Sequence, residues 1–233
     1  MKSPIILALD TKDLDTAKSW IECTRSSIST YKVGLEFFLK FGEKGIATLR
    51  EAGDFDLFLD LKLHDIPNTV AKAAHSISAI KPKFLTVHAS GGPTMVKAAV
   101  DAVPDVAITA VTILTSLSEA ELHQIGYAES ALLSAVNLAQ ISVEAGARAI
   151  VSSPLEVAAI RDRVGKGPAI ITPGVRPAGS DVGDQTRVMT PRDAIAAGST
   201  YLVIGRPITS LFKDGVDAMR DKAQEILDDA TSA

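Results

Sequence analysis

The sequence predicts an α/β fold, an eightfold (β/α) TIM barrel formed as a single domain by residues 1–233. Short runs rich in Ile, Val and Leu alternate with longer stretches of helical period, which is typical of β-α units around a parallel sheet. Eight such runs occur, and no GxGxxG turn follows the first, as it would in an open dinucleotide-binding sheet. Barrels often reach this length as one unit.

The predicted strands follow one another along the chain with helical segments between them. They span residues 4–10, 30–35, 57–63, 84–89, 107–114, 148–153, 169–175 and 201–206. Clear helical patterns occupy residues 67–80, 93–103 and 215–229, and Pro67 suits the first turn of its helix. The connection from Pro173 to Pro191 is too long for an ordinary barrel turn, which favours a ligand-closing lid at residues 176–187 over a plain mobile loop.

Composition and charge exclude several classes of protein. The net charge is −4 and Lys and Arg form no dense run, so the sequence offers no footprint for nucleic acid. Cys23 is the only cysteine, which excludes an internal disulfide and zinc sites that need paired thiolates. The first apolar run is too short for a signal peptide and no run is long enough to span a membrane. We therefore expect a cytoplasmic protein without a membrane partner.

The third strand carries charges on one of its two faces. Because strand side chains alternate, one face has Leu57, Leu59, Leu61 and Leu63, and the other has Phe58, Asp60, Lys62 and His64. The leucines belong under the helices, so the charged face points into the barrel. The same rule turns Asp10 of the first strand and Lys32 of the second inward. Four charges are thus predicted in one cavity.

These inward charges indicate catalysis more than structure. A mutually neutralising network of two acids and two bases is the structural alternative, because an uncompensated buried charge is costly. Barrel enzymes, however, keep catalytic groups at the carboxyl ends of their strands, where these residues fall. Asp60 favours the ammonium form of Lys62, which suits proton donation and a fixed positive charge rather than a Schiff base. Protonation of a carbanion is the chemistry best served.

A second feature lies at the end of the eighth predicted strand. Gly205 and Arg206 stand where barrels often bind phosphate, with backbone that can approach an anion and a planar cationic fork. A simple turn is the alternative interpretation.

The segment LDLKLHDIPNTV, residues 59–70, closely resembles the signature of the orotidine 5'-phosphate decarboxylase family. Colinear supporting matches are LALD (7–10), YKVG (31–34), VHASGG (87–92), VTILTS (111–116), TPGVRP (172–177), DQTRVMTP (184–191) and IGRPIT (204–209). They extend over nearly the whole chain. The central motif is highly specific, whereas the others are individually modest.

The resemblance implies cofactor-independent decarboxylation of orotidine 5'-phosphate to uridine 5'-phosphate, in de novo pyrimidine biosynthesis. It implies that Lys62 protonates the ring carbanion within a charged array of Lys32, Asp60, Lys62 and Asp65. It implies a homodimer with shared sites, in which Asp65 and Thr69 reach the partner's cavity. The remaining substrate contacts implied are Asp10 and Lys32 on the ribose, Thr115 and Ser116 near the pyrimidine, and Arg176, Gln185, Gly205 and Arg206 on the phosphate.

Two other functions remain open at the level of sequence. A metal-dependent sugar-phosphate decarboxylase or hexulose-phosphate synthase of the same superfamily shares the Asp-x-Lys-x-x-Asp spacing of residues 60–65, although Lys32 opposes a divalent cation. The other is a non-catalytic barrel that binds a nucleotide. Binding alone does not require a lysine held among carboxylates, an arrangement that is costly in free energy. His64 and His88 are a minimal metal pair, and histidines satisfied by hydrogen bonds are commoner.

Overall fold

A computed structural model describes residues 3–177 and 189–232 of the chain. Eight parallel strands pair in chain order and close into a barrel, with the last strand beside the first. The strands are β1 (Ile5–Ala8), β2 (Thr30–Gly34), β3 (Asp56–Leu63), β4 (Phe84–His88), β5 (Ala107–Val111), β6 (Ala149–Val151), β7 (Ala169–Thr172) and β8 (Tyr201–Ile204). The predicted fold is confirmed.

Helices surround the barrel and their ends follow local sequence. They are α1 (Leu14–Thr24), α2 (Leu35–Arg50), α3 (Pro67–Ser76), α4 (Gly92–Ala102), α5 (Glu119–Gln124), α6 (Ala131–Glu144), α7 (Val157–Val164), α8 (Pro191–Ala196), α9 (Arg206–Thr209) and α10 (Val216–Thr231). Side-chain caps fix several N-termini: Asp13 accepts from the amide of Thr16 at α1, and Ser118 and Glu121 form a capping box at α5. No described helix is both long and apolar enough to cross a membrane.

The predicted elements are confirmed, with boundaries that differ by up to four residues. Every strand except β3 ends before the predicted residue, because the last residues turn into the loops that form the mouth of the barrel. The helix predicted for residues 67–80 ends at Ser76, and a single 3-10 turn follows. Lys81 takes a left-handed conformation before Pro82, where a continuing helix is disfavoured. The predicted lid lies outside the described residues except for Arg176 and Pro177.

Two apolar clusters confirm the predicted division of faces. The cluster inside the barrel is centred on Ile6, Phe58, Phe84, Ala149 and Ile171. The larger cluster lies between the strands and the helices, and it contains the outward residues of β1 to β3 that alternation predicts. The amino end of the barrel is closed by Lys83, which contacts Asp56 at 2.7 Å and Tyr201 at 3.2 Å. The charged residues near the carboxyl ends of the strands therefore lie above a packed interior.

Candidate active site

A cavity of about 320 Å³ opens at the carboxyl ends of the strands. Its polar lining includes eight of the predicted site residues: Asp10, Lys32, Asp60, Lys62, Thr115, Arg176, Gly205 and Arg206. One wall is apolar and is formed by Phe58, Val111, Ile113, Val151 and Val203. A mostly apolar hollow with a few convergent charges is the usual form of a small-molecule site.

Charges of alternating sign cross the cavity in a row. Asp10 lies 3.1 Å from the Lys32 ammonium, and Lys32 lies 3.6 Å from Asp60. Asp60 in turn lies 2.8 Å from the Lys62 ammonium, which donates to both of its carboxylate oxygens. The side chains of Lys32 and Asp60 are only 12% and 13% exposed, whereas that of Lys62 is 30% exposed. The row is neutral overall, and Lys62 is the more exposed of its two cations.

Asp60 is the most enclosed charge of the row. Burial by itself raises the pKa of its carboxyl, but the ammonium groups of Lys32 and Lys62 act in the opposite direction, as do hydrogen bonds from Lys62 and Thr86. The net result is an Asp60 pKa below the ordinary aspartate value. Asp60 is therefore a fixed negative charge at neutral pH, 2.8 Å from the Lys62 ammonium.

Lys62 stands at a distortion in β3. Its φ is +49°, which is uncommon for a residue with a side chain. In the pairing of β3 with β4, Leu59 is opposite Leu85 and Leu63 is opposite Val87. Between these two pairs β3 advances by four residues and β4 by only two. The two additional residues form a bulge that includes Lys62. Asp60 and Lys62, which lie within this bulge, both line the cavity, as alternation predicts.

Two glycines allow backbone and charge to approach closely. A Cβ at Gly34 would lie 3.3 Å from the Lys32 ammonium, and a Cβ at Gly205 would lie 3.4 Å from Cβ of Ala8 and 3.9 Å from a carboxylate oxygen of Asp10. A Cβ at Gly34 would therefore press on the Lys32 ammonium, whereas at Gly205 a Cβ would make ordinary contacts and only a longer side chain would meet Ala8 or Asp10.

The predicted phosphate side is assembled in part. Arg206 and Gly205, after β8, and Arg176, after β7, all line the cavity. The backbone amide of Arg176 donates to Met189 at 3.0 Å, which ties this end of the connection to α8. Gln185 lies outside the described residues. Two arginines thus give this side of the cavity a positive charge.

Three other predicted residues lie away from the chain's own cavity lining. Ser116 is exposed, whereas its neighbour Thr115 lines the cavity. Asp65 and Thr69 are exposed as well, and Asp65 accepts a 2.6 Å hydrogen bond from the amide of Ile66. A contribution of Asp65 and Thr69 to a neighbouring chain is compatible with this position, since neither side chain is turned into its own barrel.

His64 and His88 contact each other beside the charge row, with ring centroids 5.4 Å apart. Burial, together with the nearby His64 ring and the Lys62 ammonium, lowers the pKa of His88, although Asp60 opposes this. Residues 3–177 and 189–232 contain no group of three or more His, Cys, Asp or Glu side chains placed to hold a metal ion.

Thr86 and the apolar wall, apart from Phe58, are features that the sequence analysis did not identify. Alternation along β4 turns Thr86 inward, so the pattern contained a sign of its position. Its hydroxyl accepts a 2.8 Å hydrogen bond from the amide of Lys62 and donates a 3.0 Å hydrogen bond to Asp60. These contacts depend on the bulge, and the sequence of β3 does not predict that bulge.

Comparison with known proteins places the chain among enzymes of one kind. The family profile described as Orotidine 5'-phosphate decarboxylase / HUMPS family matches residues 3–220. An orotidine 5'-phosphate decarboxylase of Thermobifida fusca is 54% identical over 209 residues, covering 90% of each chain. One of Frankia casuarinae is 44% identical over 234 residues, covering 93% of this chain and 85% of the relative. The crystal structure of the Lactobacillus acidophilus orotidine 5'-phosphate decarboxylase has a TM-score of 0.84 and 30% identity, covering 99% of this chain and 100% of that one.

Proposed function

The chain belongs to the orotidine 5'-phosphate decarboxylase / HUMPS family, and on that premise we propose that Lys62 is the proton donor of its reaction. The activity is the decarboxylation of orotidine 5'-phosphate to uridine 5'-phosphate in pyrimidine biosynthesis. The observation that supports the role of Lys62 is the row of charges, in which a cavity-facing ammonium lies 2.8 Å from a buried carboxylate. A proton donor and a fixed positive charge occupy the same point in the site.

The reaction requires a positive charge and a proton donor at the ring carbon that loses its carboxylate. The bond between the ring and its carboxylate breaks, carbon dioxide leaves, and the electron pair stays on the ring carbon. The Lys62 ammonium stabilises the developing negative charge and then transfers a proton to the same carbon. Asp60 holds Lys62 in place and is itself paired with Lys32. In the complex Asp60 lies next to the departing carboxylate. Asp10 and Lys32, at the mouth of β1 and β2, contact the ribose.

The phosphate of the substrate is bound at the opposite side of the cavity, by Arg176, Arg206 and the backbone near Gly205, with Gln185 from the connection that follows. Thr115 and Ser116 lie near the pyrimidine. Binding energy from a phosphate remote from the reacting bond orients the ring, so it contributes to turnover as well as to affinity.

Arg206→Ala is expected to weaken binding of uridine 5'-monophosphate by about 10- to 100-fold, since a hydrogen bond to a charged group contributes about 1.5–3 kcal/mol. Calorimetric titration gives the affinity, and uridine, which lacks the phosphate, should bind the variant and the parent protein equally. Arg220→Ala is the matched control, because Arg220 is a surface arginine paired with Asp217 on α10. Equal weakening of both ligands would contradict a phosphate role for Arg206.

We further propose that the chain forms a homodimer with shared active sites. We also propose that it acts in the cytoplasm and has neither a nucleic-acid nor a membrane partner. Exposed apolar side chains near the loops after β2 and β3 support a protein contact there: Ile66 is 65% exposed, Leu39 is 81% exposed and Leu35 is 46% exposed. Asp65 and Thr69 lie on the same rim. The net charge of −4 supports the absence of a nucleic-acid partner, and the single cysteine supports a location in the reducing cytoplasm.

Cofactor independence is the property that separates this function from the metal-dependent sugar-phosphate enzymes of the superfamily. The purified chain is expected to convert orotidine 5'-phosphate to uridine 5'-phosphate at an unchanged rate after exhaustive chelation, because Lys62 supplies the charge that a cation would otherwise provide. The absorbance change of the pyrimidine ring follows the conversion. Chelated protein that is inactive until a divalent metal is restored, or activity only on a hexulose phosphate, would contradict the proposal.

A further inference from the structure

We propose that Thr86 is a positioning residue for the decarboxylation, and that its hydroxyl sets the geometry of both Lys62 and Asp60. The proposal rests on the proposed function of those two residues and adds a member from a neighbouring strand. Thr86 lies in the middle of β4, its residue is 0% exposed, and it is not among the residues that line the cavity. It has no contact through which it could bind substrate directly.

One hydroxyl joins the two groups that matter for the chemistry. The Thr86 Oγ1 accepts from the backbone amide of Lys62 at 2.8 Å and donates to Oδ1 of Asp60 at 3.0 Å. Oδ1 of Asp60 also accepts from the Lys62 ammonium at 2.8 Å. The three residues therefore form a closed ring of hydrogen bonds that contains both the main chain and the side chain of Lys62.

The backbone of Lys62 needs such support. A φ of +49° is unfavourable for a residue with a side chain, and the neighbouring strand pairing is interrupted between Leu59 and Leu63. At this bulge the amide of Lys62 is bonded to a side chain instead of a β4 carbonyl. The hydroxyl thus takes the place of the missing ladder bond and holds the strand in the conformation that aims Lys62 into the cavity.

The carboxylate of Asp60 is held by the same atom. A carboxylate that turned away from Lys62 would lose both hydrogen bonds from the ammonium and would change its position. With Thr86 as donor on one side and Lys62 on the other, Oδ1 has two partners at defined angles, which limits rotation of the side chain. Errors of about 1 Å in such an arrangement can lower rates by about 10²-fold.

Two pairs of substitutions separate the hydroxyl from packing. Thr86→Val keeps the shape and removes the hydroxyl, whereas Thr86→Ser keeps the hydroxyl and removes a buried methyl. Thr86→Ala differs from Thr86→Ser by one oxygen, so this second pair decides the question if the valine variant does not fold. We expect kcat to fall by about 10- to 100-fold in Thr86→Val and Thr86→Ala, and by less than about threefold in Thr86→Ser.

The readouts distinguish positioning from general damage. In Thr86→Val and Thr86→Ala, KM for orotidine 5'-phosphate and Kd for uridine 5'-monophosphate should stay within about threefold of the parent values, because the ribose and phosphate contacts are untouched. Full kcat in Thr86→Val, or a loss in Thr86→Ser equal to that in Thr86→Ala, would overturn the proposal. So would a fall in kcat that is matched by lost affinity for the product and by a lower folded fraction. The parent protein and a Lys62→Ala variant, assayed beside these, test the proposed function separately.

Discussion

Lys62→Ala is expected to lower kcat by more than about 10³-fold, with a much smaller effect on the affinity for uridine 5'-monophosphate. Proton donation by a positioned group contributes about 10²–10⁴-fold, and loss of the fixed positive charge removes electrostatic stabilisation of the carbanion as well. The product has no carboxylate and no carbanion, so its binding depends mainly on the ribose and phosphate contacts. Steady-state kinetics on orotidine 5'-phosphate and calorimetry with the product measure the two effects.

Lys83→Ala is the matched control for this substitution. Lys83 is also a lysine within the barrel that contacts an aspartate, Asp56, at 2.7 Å, but it lies at the amino ends of the strands. Its removal should lower thermal stability and leave kcat unchanged, because the packed interior separates it from the cavity. Activity of Lys62→Ala within about tenfold of the parent would exclude Lys62 as the proton donor.

The cavity charges could be predicted from sequence because face alternation survives local distortion. The rule places Asp10, Lys32, Asp60 and Lys62 inside the barrel, and all four line the cavity. The bulge at Lys62 adds two residues to β3, an even number, so Leu63 keeps its outward face and packs against the outer cluster. His64, predicted to face inward, lies beyond the end of β3, is exposed and does not line the cavity. A bulge of one residue would have turned Leu63 inward, and the prediction would have failed beyond Lys62.

The bulge itself was not predictable. Its sequence, from Leu59 to Leu63, contains no glycine or proline to mark a break in pairing, and a lysine at φ +49° contradicts ordinary conformational preference. What stabilises it is a contact with Thr86, 24 residues further along the chain. Contacts of this kind depend on the register of two strands, and that register is a property of the closed barrel rather than of either strand.

Neither the alternation pattern nor the structure of a single chain shows which active site Asp65 belongs to. Alternation applies within strands, and Asp65 follows the end of β3, where its side chain is exposed and accepts a hydrogen bond from Ile66. A single chain shows only that Asp65 is exposed and is not among the residues that line its own cavity. A measurement that depends on which chain supplies Asp65 is therefore needed.

Mixing inactive Lys62→Ala and Asp65→Ala homodimers is expected to restore activity to about a quarter of the parent value. If each site takes Lys62 from one chain and Asp65 from the other, a heterodimer has one site with both lesions and one with neither. At equal mixing with free exchange, about half of the dimers are heterodimers and half of their sites are intact. Activity should appear at the rate of subunit exchange, which mass spectrometry of differently labelled chains can follow.

A mixture of Lys62→Ala with Asp60→Ala provides the control, because both residues face the cavity of their own chain. Each heterodimer then has one lesion in each site, so exchange should proceed to the same extent without any gain in activity. Recovery in the first mixture but not in the second can arise only if Asp65 crosses the dimer interface while Asp60 does not. Confirmed heterodimers that stay inactive in both mixtures would assign Asp65 to its own chain's site or to a role outside it, and shared active sites would have to be abandoned.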